Sequence, residues 1–219
     1  MPTPAVPRVS VCISVLNDAA MLRETLKSVI AQGFDDWEAI VVDDGSTNPD
    51  EIRGACAIFG DPRISYHRFP VNRGIPHGAN YGYRQARGEF IQALGVDEQI
   101  TPDKLEDQVA YLDANPNVAL VWGIPGVGPL GKRPVWEQYL TRAHNRSREH
   151  WLKCFLNLEG VPVGGASALW RKSLFDSIGY FDENLTAFSD HEWFCRVIEK
   201  HEVRILPYRW MTETPGHKT

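Results

Sequence analysis

The chain has 219 residues, of which 43% are hydrophobic and 23% charged, and its formal net charge is −5. This length suits one large domain with a substantial core, and the composition is that of a globular protein rather than a disordered one. An acidic balance without a run of lysine or arginine argues against binding to nucleic acid.

The four cysteines form no C-x-x-C pair, which predicts reduced, buried thiols rather than a zinc site or a disulfide framework. The amino terminus lacks the basic and apolar blocks of a signal peptide, and no apolar run reaches the roughly 18 residues of a membrane span. We therefore expect a cytoplasmic protein. Peripheral association with the inner face of the membrane, and further domains in a longer protein, remain open.

Strands and helices alternate through the first half of the chain. Apolar runs predict strands over residues 9–15, 38–43, 64–69, 90–94 and 118–122. Helical spacing and capping residues predict helices between them, which begin near residues 18, 49, 78 and 101. Such alternation favours a mostly parallel sheet with helices on both faces.

The second half has a different composition. Residues 123–134 are rich in glycine and proline and predict a loop, although Gly126, Gly128 and Gly131 match the dinucleotide pattern G-x-G-x-x-G. Pro129 removes a backbone donor there, which argues against a phosphate cradle. Further on, an aromatic helix around residue 151, a strand over 161–170, a helix over 189–200 and a short strand over 203–207 are predicted.

Several short motifs occur in an order that resembles the glycosyltransferase family 2 catalytic domain. They are Val11–Asn17, Asp43–Ser46, Asn72–Gly74 with Asn80, Gly82 and Gly88, then Gly95–Glu98, Ser167–Arg171, Gly179–Glu183, and Ser189-Asp190 with Arg196. The resemblance implies a GT-A fold, in which a Rossmann-like, mostly parallel sheet carries helices on both faces and a smaller acceptor-side region. It implies one domain over 1–219, with a nucleotide-sugar-binding half (8–122) and an acceptor-binding half (123–219).

The implied reaction is inverting transfer of a sugar from a nucleotide-diphosphate donor, most simply a UDP-sugar. Its acceptor is a hydroxyl of a glycan, a lipid-linked glycan or a glycoprotein. The resemblance places donor contacts at Asn17, Asp43, Asp44, Arg73 and Asp97. An aspartate can accept a hydrogen bond from a uracil N–H or a ribose hydroxyl, and an arginine can donate to base carbonyls. Alternatively, Asp43 and Asp44 only cap their turn, through Ser46 and Thr47.

The resemblance also implies a divalent cation, Mn²⁺ or Mg²⁺, bound by Asp97. Glu98 is a further candidate ligand, since hard cations of this kind prefer oxygen ligands. The carboxyl-terminal His217 is another, because members of the family often place a histidine after the last strand. This chain departs from the family pattern at Gly95, where the first aspartate of the Asp-x-Asp motif is expected. Alternatively, Asp97 and Glu98 bind no metal and are only acidic residues near the start of the next helix, where negative charge is stabilising. His217 is then a solvated residue of the polar tail.

Asp190 stands where the family places its catalytic base, at the start of an apolar-faced helix. The same position suits an ordinary helix-terminal carboxylate, and Ser189 replaces the glutamate that usually precedes the base. The two departures, at Gly95 and Ser189, leave a second hypothesis open: a non-catalytic relative that binds nucleotide or glycan. Trp136, Tyr139, Trp151 and Trp170 are candidates for an acceptor platform, although core packing is favoured for Trp151.

Overall fold

The computed structural model describes residues 6–126, 147–157 and 164–213. Its strands are β1 (Val9–Val15), β2 (Trp37–Asp43), β3 (Ile64–Arg68), β4 (Phe90–Gly95), β5 (Glu98–Ile100), β6 (Val118–Gly126), β7 (Ala168–Arg171) and β8 (Glu202–Glu213). Its helices are α1 (Ala19–Ile30), α2 (Pro49–Ala57), α3 (Ile75–Gln85), α4 (Lys104–Ala114), α5 (Arg148–Asn157), α6 (Leu174–Ile178) and α7 (Ser189–Lys200).

The strands form one eight-stranded sheet in the order β3-β2-β1-β4-β7-β6-β8-β5. The pairs β1–β2, β1–β4, β2–β3 and β6–β8 are parallel, whereas β7 runs antiparallel to both β4 and β6, and β5 runs antiparallel to β8. The predicted mostly parallel α/β sheet is confirmed. The short antiparallel strand β7 joins the parallel first half to the second half of the sheet.

Helices cover both faces of the sheet, as predicted, because both faces of the central strands are apolar. Val11 and Ile13 of β1 pack with residues of α1, α2 and α4, whereas Cys12 packs on the opposite face with residues of α3, α5 and α7. This is the strand alternation that a sheet buried on both faces requires. Cys12 and Cys56 are buried in these two layers, as predicted, whereas Cys154 and Cys195 are only half-buried.

The aromatic residues of the second half pack into the core. Trp151 and Phe155 are buried, as favoured from their spacing, and Trp170 is fully buried against Trp193. A fully buried ring has no face for a sugar, so Trp170 does not suit an acceptor platform. Trp136 and Tyr139 lie outside the described residues. Within the described part of the chain, no helix is long and apolar enough to cross a bilayer.

Some element boundaries differ from the sequence predictions. β6 continues to Gly126 and β8 to Glu213, because these two strands pair with each other along their length. β5, which the sequence did not predict, is a three-residue strand held by β8. A 3₁₀ turn at Gly165–Ser167 precedes β7, where a longer strand was expected. α3 begins directly after Gly74, three residues earlier than predicted.

Candidate functional site

Two acidic turns leave the sheet at the same edge, on either side of β1. The first acidic turn, Asp43–Ser46, ends β2, where Asp43 lies beside Val15 of β1. The second acidic turn, Gly95–Glu98, ends β4, where Gly95 lies beside Ser14 of β1. Carboxyl ends of parallel strands are where open α/β sheets bind ligands. The topology therefore brings the predicted donor residues of both turns to one place.

Asp43 is fully buried in the first acidic turn. One carboxylate oxygen accepts a hydrogen bond from the backbone N–H of Ser46 (2.8 Å), and the other accepts one from the Tyr66 hydroxyl (2.7 Å). The Arg68 guanidinium lies 3.5 Å from the same carboxylate. In this structure the Asp43 carboxylate caps its own turn, which is the alternative role that the sequence allowed.

Asp44 connects the first acidic turn to the loop that precedes α3. Its two carboxylate oxygens accept hydrogen bonds from the backbone N–H groups of Arg73 and Gly74, both at 2.8 Å. The Arg73 guanidinium lies 5.3 Å from the ring centroid of Phe69, within cation–π range, and the arginine is exposed. Asp44 and Arg73 are therefore neighbours, as a shared role in donor binding requires.

Gly45 makes this contact between loops very close. Its φ is +80°, and a Cβ built on it would lie 2.4 Å from the backbone N of Asn72 and from the backbone C of Val71. A side chain has no room there, because the obstacles are backbone atoms. The two loops are thus packed backbone against backbone.

Asn17 joins the end of β1 to the first acidic turn. Its backbone N–H donates to the Ser46 hydroxyl (2.9 Å), and its side-chain oxygen accepts from the backbone N–H (2.8 Å) and the hydroxyl (3.0 Å) of Thr47. Its φ is +59°, in the left-handed region that asparagine tolerates better than most residues. Asn17 is exposed at the site edge and also stabilises the turn beside it.

The second acidic turn gathers two half-buried carboxylates over a glycine. A Cβ built on Gly95 would lie 2.9 Å from Oδ1 of Asp97 and 3.1 Å from Oε2 of Glu98, and the Gly95 N–H donates to that same Glu98 oxygen. The Thr25 hydroxyl of α1 lies 2.6 Å from the carbonyl oxygen of Val96 and 2.9 Å from that of Glu98. The carboxylates of Asp97 and Glu98 therefore occupy the space that a side chain at position 95 would enter.

These carboxylates fit a cation that is shared with a substrate. In the residues that the structure describes, no group of three or more His, Cys, Asp or Glu side chains could hold a metal ion. Asp97 and Glu98 place two carboxylates on one turn. Mg²⁺ is commonly bound by one or two carboxylates together with substrate phosphates. The donor set thus fits a divalent ion that a diphosphate completes. His217 lies outside the described residues.

Asp190 lies in the first turn of α7, and its Oδ1 accepts the backbone N–H of His191 (2.8 Å). Burial raises the pKa of the Tyr83 phenol well above its ordinary value, and Cys12, Asp190 and Glu98 raise it further. The Asp190 carboxylate is itself half-buried.

Two further motif residues, Arg196 and Asn80, bind the backbone of the loop that follows α6. Arg196 donates to the carbonyl oxygens of Ile178 and Tyr180 (the latter at 2.9 Å) and pairs with Glu192. Asn80 pairs with the backbone of Phe181 in both directions, at 2.9 and 3.0 Å. Both hold the loop after α6 against the rest of the molecule.

Sequence reasoning missed several supporting residues of the site, namely Thr25, Tyr66, Arg68, Gln92 and Lys104. A signal existed for Lys104: it lies four residues before Gln108, a glutamine on the inner, apolar face of α4. Lys104, Gln92 and Gln108 are all fully buried. A lysine and a glutamine at helical spacing in a core face indicate a buried polar network.

The family model described as Glycosyl transferase family 2 matches residues 10–178. An uncharacterized glycosyltransferase of Rickettsia typhi is 31% identical, with 91% of this chain and 63% of the relative covered. The poly-beta-1,6-N-acetyl-D-glucosamine synthase of Staphylococcus epidermidis is 26% identical, with 95% and 51% covered. The chain spans 27% and 31% of the length of the glycosyltransferases of Rickettsia bellii and Rickettsia felis.

Two solved structures share the fold. Residues 1–349 of S. aureus TarS in complex with UDP-GlcNAc match with a TM-score of 0.72 and 19% identity, over 97% of this chain and 60% of that chain. The mannosyltransferase PcManGT of Pyrobaculum calidifontis in complex with GDP-Man and Mn²⁺ matches with a TM-score of 0.74 and 22% identity, over 96% and 58%. The family model covers more than half of the chain, and the sheet matches these structures; the chain therefore belongs to glycosyl transferase family 2 and has the GT-A fold.

Proposed function

We propose that this chain transfers a sugar, with inversion, from a UDP-sugar to a hydroxyl of a carbohydrate acceptor. The observation that carries the proposal is the convergence of the two acidic turns on either side of β1. Residues 8–122 bind the donor in this proposal, and residues 123–219 bind the acceptor. The two turns lie at one edge of the sheet, so the base of the donor can bind at one turn and its diphosphate at the other.

The nucleoside binds at the first acidic turn. Each oxygen of Asp44 accepts one backbone N–H, and each retains a lone pair for a uracil N–H or a ribose hydroxyl. Arg73, exposed above Phe69, donates to the base carbonyls. Asn17 and Asp43 hold the turn in place, and Asn17 contacts the donor from the exposed edge.

The diphosphate binds beside the second acidic turn, where Asp97 and Glu98 would hold a divalent cation. When bound, Mn²⁺ or Mg²⁺ supplies a Lewis acid that neutralises charge on the leaving diphosphate. The mannosyltransferase with a similar fold was solved with GDP-Man and Mn²⁺, and TarS with UDP-GlcNAc, which supports this class of ligand.

Asp190 activates the acceptor. Its carboxylate takes the proton of the acceptor hydroxyl while the hydroxyl oxygen forms a bond to the anomeric carbon. The bond from that carbon to the diphosphate oxygen breaks, and the nucleoside diphosphate leaves with the electron pair. A single displacement inverts the anomeric centre and requires no covalent intermediate. A glycan acceptor is supported by the relative that is named poly-beta-1,6-N-acetyl-D-glucosamine synthase.

Thermal unfolding tests the donor site directly. The wild type is heated with UDP, GDP, TDP or CDP, each with and without Mn²⁺, beside Asp97→Asn and the exposed control Asp50→Asn. A nucleotide at about 100 times its dissociation constant stabilises the fold by about 2.7 kcal/mol. We expect a shift with UDP that requires Mn²⁺, persists in the control and disappears in Asp97→Asn. The absence of a shift with every nucleotide would refute the donor site.

The non-catalytic alternative is favoured by Gly95 and by the buried Ser189, which replace acidic residues of the family motifs. Donor hydrolysis or transfer by the wild type separates it from the main proposal. If the wild type binds UDP with Mn²⁺ but releases no sugar, the non-catalytic function is correct. If it releases sugar and Asp190→Asn binds UDP without turnover, the assignment of the base is supported.

A further inference from the structure

Lys104 carries an ammonium group enclosed in the core, at the first residue of α4, the helix that follows the second acidic turn. Its Nζ lies within hydrogen-bond distance of the side-chain oxygens of Gln92 and Gln108 (the latter at 2.5 Å) and of the carbonyl oxygen of Ala168 (3.1 Å). Burial lowers the pKa of Lys104 well below its ordinary value, and the charge of Glu98 opposes this shift. Three acceptors match the three N–H bonds of the ammonium group.

The two glutamines extend this network to the chain before β7. The side-chain amide of Gln92 donates to the carbonyl oxygen of Ala166, and that of Gln108 donates to the carbonyl oxygen of Ser167, both at 3.0 Å. The carbonyl oxygens of residues 166, 167 and 168 therefore each accept a hydrogen bond from a different buried side chain. We call Lys104, Gln92 and Gln108 the lysine clamp.

The lysine clamp acts where the backbone ladder stops. β4 pairs with β7 at Phe90–Arg171 and Ile91–Trp170, whereas β4 itself continues to Gly95. Beyond Ile91 the neighbouring chain turns into the 3₁₀ turn at Gly165–Ser167. Side chains of the clamp replace backbone hydrogen bonds along this stretch.

The clamped segment, Gly164–Ala168, lies beside the end of β4 that leads into the second acidic turn. Because β7 runs antiparallel to β4, the residues before Ala168 run alongside the end of β4 towards Gly95. A Cβ built on Gly165 would lie 3.5 Å from the Cβ of Ala93, whereas one built on Gly164 would meet no atom of the described residues within 4 Å. One side of the segment thus contacts β4. Two glycines make such a segment costly to order without external hydrogen bonds.

We propose that Lys104 is a positioning residue of the donor site, which fixes the Gly164–Ala168 segment against the second acidic turn. The inference rests on the proposed function, because it assigns the segment to the wall of the site that binds the donor diphosphate and sugar. Loss of the clamp lets the segment move away from the carboxylates, so donor affinity falls while the nucleoside contacts at Asp44 remain intact.

Three variants separate positioning from plain core stability. Lys104→Met keeps the apolar stem and removes the ammonium group. Gln108→Glu keeps the acceptor for Lys104 and removes the N–H that Ser167 receives. Leu112→Ala, on the same helix and fully buried, removes core contacts outside the clamp. Each variant is compared with the wild type in amide hydrogen exchange of residues 164–168 and in affinity for UDP with Mn²⁺.

In Lys104→Met and Gln108→Glu we expect the amides of the segment to exchange at least about tenfold faster than in the wild type. We also expect both variants to bind UDP with Mn²⁺ about tenfold more weakly, which is the size of the loss when a residue that orients a metal ligand is removed. Leu112→Ala should lower the unfolding midpoint yet keep wild-type affinity. If both clamp variants keep wild-type affinity, or if Leu112→Ala loses as much, the positioning role is wrong. Should Lys104→Met fail to fold, Gln108→Glu decides.

The two proposals fail in different ways. If the wild type binds no nucleotide, the proposed donor site is wrong, and the role of Lys104 in it falls too. If the wild type binds UDP and the clamp variants bind it equally well, the donor site stands and the positioning role alone is overturned.

Discussion

The two acidic turns share one edge of the sheet, but the protein holds them in different ways. In the first, both carboxylates are buried and accept hydrogen bonds from within the chain, and Gly45 meets backbone atoms directly. In the second, Asp97 and Glu98 are half-buried and gather over Gly95 through side-chain atoms that can move. The difference indicates a rigid frame for the nucleoside and an adjustable set of ligands for a cation and a diphosphate.

The largest expected effect comes from Gly45→Ala. The new methyl group would meet backbone at 2.4 Å at a φ of +80°, so neither loop can yield without breaking the contact between them. We expect a loss of about 4 kcal/mol in the free energy of unfolding, measured by chemical denaturation. Gly54→Ala, where a Cβ meets nothing within 4 Å, is the control and should not destabilise the protein. A Gly45→Ala protein of wild-type stability would contradict the rigid frame.

Asp43→Asn should have the next largest effect. The amide cannot accept at both positions, so one of Ser46, Tyr66 and Arg68 loses its buried acceptor. We expect the free energy of unfolding to fall by about 2 kcal/mol. Asp97→Asn, measured in the same way, should change stability by less than about 1 kcal/mol, because its carboxylate is half-buried. Equal losses for the two variants would remove the distinction between the turns.

Gly95→Ala tests the adjustable turn. Its Cβ would enter the space now taken by carboxylate oxygens, and flexible side chains can move aside. We therefore expect little change in the unfolding midpoint but about tenfold weaker binding of UDP with Mn²⁺, by analogy with other displaced metal ligands. Titration with and without Mn²⁺ measures this. A loss of stability comparable with that of Gly45→Ala would show that the second turn is also rigid.

Glu183 lies outside both turns, and its partly exposed carboxylate should contribute only a little to the free energy of unfolding. A hydrogen bond from Asn80 lowers the pKa of Glu183, burial opposes this, and Arg84 and His77 lower it further. Because the folded pKa is lowered, the stabilisation is complete above the ordinary value of 4.5 and is lost as the pH falls below it. The stability difference between wild type and Glu183→Gln should be under about 1 kcal/mol at neutral pH and should shrink in acid.

Denaturation at several pH values between about 3 and 7 measures this difference. Glu106→Gln, on the exposed face of α4, is the matched control and should follow the wild type. A difference that grows in acid would contradict the direction assigned to Glu183.

Local sequence patterns were sufficient to predict much of the fold. Apolar periodicity predicted the central strands and the helices on both faces, because burial on one or two faces leaves a direct record in residue order. The sequence placed each acidic turn directly after a predicted strand, and the structure brings both turns to one edge because those strands are parallel to β1. The capping role of Asp43 was one of two predicted roles. Its contacts with Tyr66 and Arg68, and the contact of Arg196 with Tyr180, were not predicted, because these partners are distant in sequence.

The sequence by itself determined the α/β class, the membership of a family, and the positions of Asp44, Asp97 and Asp190 at the ends of regular elements. Only the tertiary structure decided that β7 enters the sheet antiparallel between β4 and β6, and that β6 pairs with β8 beyond the predicted ends of both strands. It also decided that the lysine clamp binds three successive carbonyls of a segment remote in sequence. The reason is physical: periodicity records how each segment is buried, whereas strand pairing and buried hydrogen bonds join groups whose separation along the chain leaves no local pattern.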